Sequence, residues 1–230
     1  MSRNGSPIAT TRPAPDPYER HAVTEEPRWI HWAKRLQACG QTGLHFSEIE
    51  YDRARYEEML QIAAEMFSAG SGMALEPVLD LLRHDGGYAT PKVDVRGVVF
   101  RDSRILLVKE IVDGGWTLPG GWADPCEPPA VATVREVWEE AGFETRATKL
   151  IACWDRSLHG PVPPYPFHIY KLFFHCEITG GAARTSNETS AVDFFAEDDL
   201  PELSVSRTTE QQIHRLFEHY RNPDLPTDFD

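Results

Sequence analysis

The spacing of apolar residues divides the first third of the chain into an unpatterned segment followed by helices. Residues 1–27 are rich in Pro, Ser, Thr and charged side chains, which predicts a disordered tail. Residues 28–88 carry apolar side chains at three- and four-residue spacing, which predicts a helical domain that packs on another domain or on a second subunit. We expect Gly40 to end the first helix, and Ser47 and Glu50 to form a capping box that starts the second.

A turn signal at residues 85–87 separates this segment from one whose apolar pattern is typical of strands. Residues 93–100 and 105–109 predict two strands joined by a tight turn. Further strands are expected at residues 146–153, 168–177 and 191–195, and an amphipathic helix is expected at residues 206–221. These elements predict a second domain at residues 91–222, followed by a C-terminal tail at 223–230.

A proline-rich loop is predicted at residues 155–167. Loops of this length inside compact domains are often functional. Tyr165 and Phe167 are therefore candidates to line a substrate pocket, and a stiff surface loop is the alternative interpretation.

One more helix is predicted ahead of the third strand, with Pro128 and Pro129 at its start and Gly142 at its end. At about 100° per residue, one face of this helix is apolar and is predicted to point inward. The apolar face carries Val131, Val134, Trp138 and Ala141. The opposite face carries the carboxylates of Glu136, Glu139 and Glu140.

Carboxylates this close together on one helix repel each other. A hard divalent cation removes the conflict, because Mg²⁺ takes oxygen ligands and shares them with substrate phosphates. A solvated acidic face is the alternative, and it would be the better interpretation of the cluster alone. Here Gly120, Gly121 and Glu127 precede the cluster at fixed spacing, which favours a metal site. The glycine turn lies near a helix N-terminus and is predicted to bind phosphate through its backbone N–H groups.

The stretch from residue 121 to residue 143 reads GWADPCEPPAVATVREVWEEAGF. It resembles the Nudix box, G-x5-E-x7-R-E-U-x-E-E-x-G-U with U apolar, and it matches at every fixed position. The resemblance implies an α/β/α sandwich with a mixed β-sheet, preceded here by the small helical domain. It also implies an enzyme that hydrolyses a nucleoside diphosphate linked to another group and that depends on Mg²⁺, with Mn²⁺ as a substitute.

The same resemblance implies roles for individual residues. The implied metal ligands are Glu136, Glu139 and Glu140, with Glu127 as a further ligand or as a support for one. The candidate catalytic residues are Glu139, Glu140, Glu188 and Arg135. Arg135 is expected to pair with a box carboxylate and orient it. Glu188 lies in a run similar to the loop that carries a further glutamate in related enzymes, and a surface glutamate is the alternative there. The general base is left open.

Four further runs resemble a bacterial Nudix subgroup of CDP-choline pyrophosphatases whose members have an N-terminal helical domain and often carry the name ADP-ribose pyrophosphatase. These runs are WIHWAKRLQACGQTGL, TPKVDVR, LPGGWAD and LSVSRTTEQQI. The resemblance implies cleavage of CDP-choline to CMP and phosphocholine by a homodimer that forms through the N-terminal helices. The candidate substrate-binding residues are Arg96, Trp122, Tyr165 and Phe167.

ADP-ribose, or another nucleoside diphosphate sugar, is the alternative substrate. Enzymes that cleave ADP-ribose often carry a proline about sixteen residues past the box, a region that holds Leu158 and His159 here, and this difference counts against ADP-ribose. A nucleotide-binding regulator that has lost catalysis is a third interpretation. The complete set of box glutamates disfavours it.

The formal net charge of −13 argues against non-specific binding to nucleic acid or to an anionic membrane. It does not exclude a phosphate substrate, because a bound metal supplies local positive charge. The four cysteines form no C-x-x-C pair, and no apolar run approaches the roughly 18 residues of a membrane span. No secretory signal is evident in the sequence, so we expect a cytoplasmic protein.

Overall fold

The computed structural model describes residues 27–160 and 163–230 and contains five α-helices and seven β-strands in them. The helices are α1 (Arg28–Phe46), α2 (Glu50–Ser71), α3 (Leu75–His84), α4 (Pro129–Ala141) and α5 (Glu210–Arg221). The strands are β1 (Lys92–Arg101), β2 (Arg104–Glu110), β3 (Trp116–Thr117), β4 (Phe143–Asp155), β5 (Ile169–Gly181), β6 (Thr189–Phe195) and β7 (Asp228–Phe229). The predicted N-terminal tail lies outside the described residues except for Pro27. In the described part of the chain, every helix is too short or too polar to cross a membrane.

Helices α1 and α2 approach each other so closely that α1 needs glycine at two positions. A Cβ on Gly43 would overlap the Tyr56 ring, and a Cβ on Gly40 would lie 2.9 Å from the Tyr56 carbonyl oxygen. The prediction that Gly40 ends the first helix is therefore wrong, because glycine serves close packing here and α1 continues to Phe46. The predicted capping box is also wrong, because α2 follows Ile49 without a side-chain cap. Instead, Arg53 of α2 donates to the Leu44 carbonyl in the last turn of α1 and to the Ser47 carbonyl between the two helices.

The three N-terminal helices share a small apolar core with the proline-rich loop. Its buried members are Ile30, Ala63, Ala64, Phe67, Val78, Leu79, Leu82 and Phe167. Tyr165 packs at the edge of this cluster. The loop thus attaches the helices to the β-sheet, which suits a segment that is short for an independent core.

The strands form one mixed sheet in the order β3-β2-β1-β5-β4-β7, with β6 paired to β2. Strand β1 is parallel to β5 and antiparallel to β2. The segment after β3 runs alongside the first half of β1, where the Val95 amide donates to the Gly121 carbonyl at 2.8 Å and the Gly97 amide donates to the Pro119 carbonyl at 2.8 Å. This pairing fixes the glycine turn against the centre of the sheet.

Helices α4 and α5 cover opposite faces of the sheet, because successive residues of a strand point to opposite sides. The core on the α4 side includes Val99, Leu106, Val108, Val137 and Phe143. The core on the α5 side includes Val98, Ile105, Leu107, Ile213 and Leu216. The α/β/α sandwich with a mixed sheet, preceded by helices, is therefore confirmed.

Helix α4 has the predicted ends but a different buried face. Gly142 ends it in the left-handed conformation, with φ 78°. Val131 and Trp138, which were predicted to point inward, are 53% and 46% exposed. The buried residues are Ala132, Thr133, Val137, Glu140 and Ala141. The prediction holds for Ala141 and is wrong for Val131 and Trp138. Helix α4 lies so close to β1 that a Cβ on Gly97 would overlap Val137, so the side of the helix that carries Val137 faces the sheet.

The C-terminal part of the chain also differs from the expectation. Helix α5 begins at Glu210, later than predicted, behind a capping box formed by Thr209 and Gln212. The segment at residues 223–230 contains β7, which pairs in parallel with β4. A carboxylate oxygen of Asp230 accepts a hydrogen bond of 2.6 Å from the Asp155 amide. These residues are therefore part of the sheet domain and not a separate tail.

Gly97→Ala is expected to destabilise the protein by about 1–3 kcal/mol, the usual cost of adding a methyl group to a filled interior. Helix α4 would have to move away from β1 to accommodate it. Urea unfolding followed by circular dichroism measures the change. Gly86→Ala is the matched control, since nothing lies within 4 Å of the position of its Cβ. Equal stability of the two variants would contradict the close packing of α4 on β1.

Candidate active site

Arg135 joins three of the predicted metal-binding carboxylates into one network. Its guanidinium donates to Glu127 at 3.0–3.2 Å, to Glu136 at 2.8 Å and to Glu139 at 2.8 Å. Asp124 lies 3.6 Å away. Because Glu127 lies in the loop before α4, the network ties this loop to the helix.

Glu140, also on α4, lies outside this network, and its side chain is buried against the glycine turn. It is 7% exposed, and its Oε2 accepts a hydrogen bond of 2.9 Å from the Gly120 amide. Burial raises the pKa of Glu140 to about 7; the Arg96 charge opposes this rise, and the Glu136 and Glu110 charges add to it. A carboxylate in this position is costly to keep charged unless a cation comes close.

The glycine turn is shaped by two different requirements. Gly120 has φ 142°, and a Cβ there would overlap the Val95 carbonyl oxygen, so both the backbone angle and the space require glycine. A Cβ on Gly121 would lie 3.4 Å from Glu136 Oε2. The turn therefore lies directly against two of the box carboxylates, Glu136 and Glu140.

Within residues 27–160 and 163–230, no three His, Cys, Asp or Glu side chains form a ready metal cage. The physical reason is that Glu127, Glu136 and Glu139 all point to the guanidinium of Arg135. The donor set nevertheless fits a hard divalent cation. It consists of carboxylate oxygens, and the raised pKa of the buried Glu140 indicates a need for positive charge at this point.

Glu188 lies in the loop before β6, with an exposed side chain and a carbonyl that accepts a hydrogen bond of 2.9 Å from the Ile111 amide. Its charge acts on Glu110, a 7% exposed carboxylate that the sequence analysis missed. Burial raises the pKa of Glu110, Arg207 opposes the rise, and Asp113 and Glu188 add to it. The signal that could have identified Glu110 is an acidic residue at the end of an apolar strand.

Arg207, from the LSVSRTTEQQI run, ties together the carboxylates near Glu188. Its guanidinium lies 3.1 Å from Glu110 and 3.0 Å from Asp113. Its carbonyl accepts a hydrogen bond of 2.6 Å from Lys171 Nζ. The neighbouring Thr208 hydroxyl lies 2.8 Å from a threonine hydroxyl of β3, just ahead of the glycine turn. This run, which the sequence analysis used only for resemblance, therefore supports both the turn and Glu110.

Arg96, which was predicted to bind substrate, is buried and paired within the protein. Arg96 is 4% exposed, donates to both Asp94 oxygens at 2.8 and 2.7 Å, and donates to the Leu118 carbonyl at 3.0 Å. Lys171, on the neighbouring strand, lies 3.3 Å from Asp94, and burial lowers the pKa of Lys171. Arg96 thus lies inside the sheet domain and holds the segment that leads into the glycine turn.

The predicted aromatic residues Trp122, Tyr165 and Phe167 do line one groove, of about 490 Å³, between α3 and the sheet domain. The Trp122 and Tyr165 rings lie 6.2 Å apart, and Trp122 is 45% exposed. Phe167 is 6% exposed within the core of the N-terminal helices, with Lys92 Nζ at 4.6 Å from its ring centroid. Its ring is covered largely by the helices and by Lys92, so Phe167 is less open to a substrate than Trp122.

Comparison with protein families finds two matches that divide the chain. Residues 27–82 match a family described as "UDP-X-like, N-terminal oligomerisation domain". Residues 90–217 match the NUDIX domain. The second match covers α4, the glycine turn and all of the carboxylates described above.

Individual relatives agree on the fold but carry different names. The chain is 44% identical over 208 residues to a protein of Bacillus subtilis (strain 168) named "Putative ADP-ribose pyrophosphatase YjhB", covering 90% of this chain and 100% of that one. A solved structure of an ADP-ribose pyrophosphatase from Streptococcus suis 89-1591 is 38% identical, with a TM-score of 0.56, over 61% of this chain and 100% of that one. A solved structure of a UDP-X diphosphatase is 30% identical, with a TM-score of 0.57, over 90% of this chain and 100% of that one.

Glu140→Gln is expected to stabilise the protein when divalent cations are removed by a chelator, and to do so more at pH 8 than at pH 5. The folded-state pKa of about 7 lies above the ordinary 4.5. The stability that Glu140 contributes is therefore fully present below pH 4.5 and is lost as the pH rises through 7. Glutamine carries no charge to bury, so the variant should gain on the order of 1–3 kcal/mol at pH 8.

Urea unfolding of wild type and variant at the two pH values measures this gain. Glu139→Gln is the matched control, because it removes a half-exposed carboxylate from the same helix and should give a smaller change. A gain from Glu140→Gln that is the same at pH 5 and pH 8 would show that Glu140 is not held in a desolvated environment.

Proposed function

The chain belongs to the Nudix family of hydrolases, and on this premise we propose that it hydrolyses the phosphoanhydride bond of a nucleoside diphosphate linked to a second group. One observation carries the proposal. Glu140 accepts a hydrogen bond from the Gly120 amide, beside the carboxylates that Arg135 connects. Oxygens that suit a divalent cation thus lie against the glycine turn, and Mg²⁺ shares such ligands with substrate phosphates, which supports hydrolysis of a diphosphate here.

The residues that would hold Mg²⁺, or Mn²⁺ in its place, are Glu136, Glu139 and Glu140, with Glu127. When bound, the cation neutralises phosphate charge and lowers the pKa of a bound water. The protein itself contributes orientation. Arg135 holds the loop and helix carboxylates in one arrangement, and the Gly120 N–H fixes the carboxylate of Glu140. The box glutamates, together with Arg135 and Glu188, are therefore proposed as the catalytic residues.

We propose Glu188 as the general base, which the sequence left open. Its side chain is exposed, and its charge acts on the buried Glu110, which Arg207 pairs at 3.1 Å. Because Arg207 already balances Glu110, the exposed Glu188 is the better placed of the two carboxylates to take a proton from water. The glycine turn with Gly120 and Gly121 is the proposed phosphate-binding segment.

The linked group is proposed from the relatives and from the aromatic groove. Similar proteins carry the names of ADP-ribose and UDP-X enzymes, whereas the sequence runs resemble CDP-choline enzymes. A choline head group is held best over several open aromatic faces. In the described groove Lys92 covers Phe167, and the Arg156 guanidinium lies 5.7 Å from the Tyr165 ring centroid. Trp122 is left with the largest exposed face, so the described groove offers no set of open aromatic faces that could enclose choline, which favours a sugar-linked substrate such as ADP-ribose and keeps CDP-choline as the second candidate.

With Mg²⁺, the purified protein is expected to hydrolyse ADP-ribose with a kcat/KM about tenfold higher than that for CDP-choline. A missing cation–π contact of about 1–2 kcal/mol accounts for a difference of this size. Chromatography of AMP and CMP as products measures it, with UDP-glucose as a third substrate. Glu140→Gln and Glu139→Gln should lower kcat by orders of magnitude, whereas Glu144→Gln, an exposed glutamate of β4, should not.

Two results would change this proposal in different ways. A preference for CDP-choline would assign choline as the linked group and leave the reaction intact. Wild-type turnover in Glu140→Gln, or no turnover of any nucleoside diphosphate derivative, would remove the proposed reaction itself.

We further propose that the protein is a homodimer formed through its N-terminal helices. The match to an oligomerisation domain supports this assembly, and so do large apolar side chains that these helices leave exposed. Examples are Trp32 at 46%, Phe46 at 68%, Ile49 at 62% and Tyr51 at 71% exposure.

All four cysteines are unpaired, and two of them are exposed, which supports the reducing cytoplasm as the proposed location.

Sedimentation at micromolar concentration is expected to give a dimer, because burying these apolar side chains removes them from water. Phe46→Asp should shift the protein towards a monomer, since a charge would be buried at the contact. Val112→Asp, at an 83% exposed position beyond β2, is the control and should remain dimeric. A monomeric wild type would contradict this assembly.

A further inference from the structure

The groove between α3 and the sheet domain joins two segments that match different families. One wall comes from the end of α3 and the connection to β1, with Leu81, His84 and Asp85. The other wall comes from Trp122 and from Tyr165 in the proline-rich loop. We propose that this groove binds the nucleobase of the substrate, so that the N-terminal helices take part in substrate recognition as well as in assembly. This inference rests on the proposed hydrolysis of a nucleoside diphosphate.

The groove begins at the residue that follows the glycine turn. Trp122 follows Gly121 directly, and a hydrogen bond on each side of Trp122 joins the chain to β1: Val95 N–H to the Gly121 carbonyl at 2.8 Å and Ala123 N–H to the Val93 carbonyl at 3.0 Å. Val93 lines the groove and lies two residues from Val95, a separation of about 7 Å along a strand. That distance is on the scale of one ribose, so a phosphate at the turn and a base in the groove can belong to one nucleotide.

The walls of the groove suit a flat, neutral ring. The indole of Trp122 is 45% exposed and is inclined by 43° to the Tyr165 ring, so one face of the indole is open for stacking. A cation is a poorer occupant, because the Lys92 ammonium already lies 4.6 Å from the centroid of Phe167.

The rim of the groove carries one donor and one acceptor that can read the edge of a base. Lys92 Nζ and Asp85 Oδ1 form an ion pair of 3.0 Å between β1 and the end of α3, and their side chains are 33% and 27% exposed. Hydrogen bonds from a base to charged partners of this kind contribute to specificity. Because Asp85 follows directly on α3, the position of the helix sets the position of this acceptor.

The test compares nucleotide binding with and without a base. Isothermal titration calorimetry of the full chain with Mg²⁺ uses AMP, CMP and UMP as probes and ribose 5-phosphate as the probe that lacks a base. Wild type is expected to bind at least one of the nucleotides more tightly than ribose 5-phosphate. Trp122→Leu should reduce that preference by about fivefold or more, the lower end of what stacking one base on an aromatic ring contributes. Trp122→Phe should retain most of it.

Two further variants sharpen the assignment. Trp138→Leu removes an indole of α4 that has nearly equal exposure, 46%, and that packs against Arg184. This variant should leave the preference unchanged. Asp85→Asn should change the relative affinities for AMP, CMP and UMP by about threefold or more while ribose 5-phosphate binds as before. Circular dichroism confirms that each variant is folded.

The outcomes separate this inference from the proposed reaction. Loss of the nucleotide preference in Trp122→Leu supports the groove even if the wild type hydrolyses none of the offered substrates. Equal preference in Trp122→Leu and wild type, or no preference in wild type, would overturn the groove assignment even if hydrolysis is observed. Unchanged base selectivity in Asp85→Asn would overturn the role of the helices.

Discussion

The close approach of α4 to β1 is the constraint on which the site depends. Gly97 provides the space for Val137, and this contact brings Glu140 within 2.9 Å of the Gly120 amide. The hydrogen bond links a helix of carboxylates to the glycine turn, which backbone pairing already holds against β1. A larger side chain at the contact would separate them, because protein interiors leave little room for adjustment.

The charges of the site are organised around two arginines. Arg135 connects the carboxylates of α4 with the loop before it. Arg207 connects Glu110 and Asp113 beside the loop of Glu188. Glu140 lies between these groups and has a backbone donor but a raised pKa. Local positive charge therefore matters most at Glu140, which is consistent with the proposed use of a divalent cation by a chain of net charge −13.

The N-terminal helices are joined to the sheet domain by more than a linker. The proline-rich loop contributes Phe167 to their core, and the Lys92–Asp85 ion pair connects β1 with the end of α3. The groove that results is lined by both parts of the chain. The family match to an oligomerisation domain supports assembly through these helices. The end of α3 also lines a groove beside the start of β1, the strand against which the glycine turn lies.

The sequence by itself determined the elements and the chemistry that depend on short stretches of chain. The box residues, the ends of α4, most strands and the sandwich architecture followed from spacing and from the resemblance, because helix periodicity, strand alternation and turn residues act over a few positions. Only the tertiary structure decided which face of α4 is buried, since periodicity measures apolarity whereas the contact between Gly97 and Val137 sets which side of the helix faces the sheet. It also decided that Gly40 lies within a helix, that Arg96 is paired inside the sheet domain, and that Glu110 belongs near the site. Each of these depends on a contact between residues distant in sequence, and such contacts are set by how the elements pack and not by the local pattern.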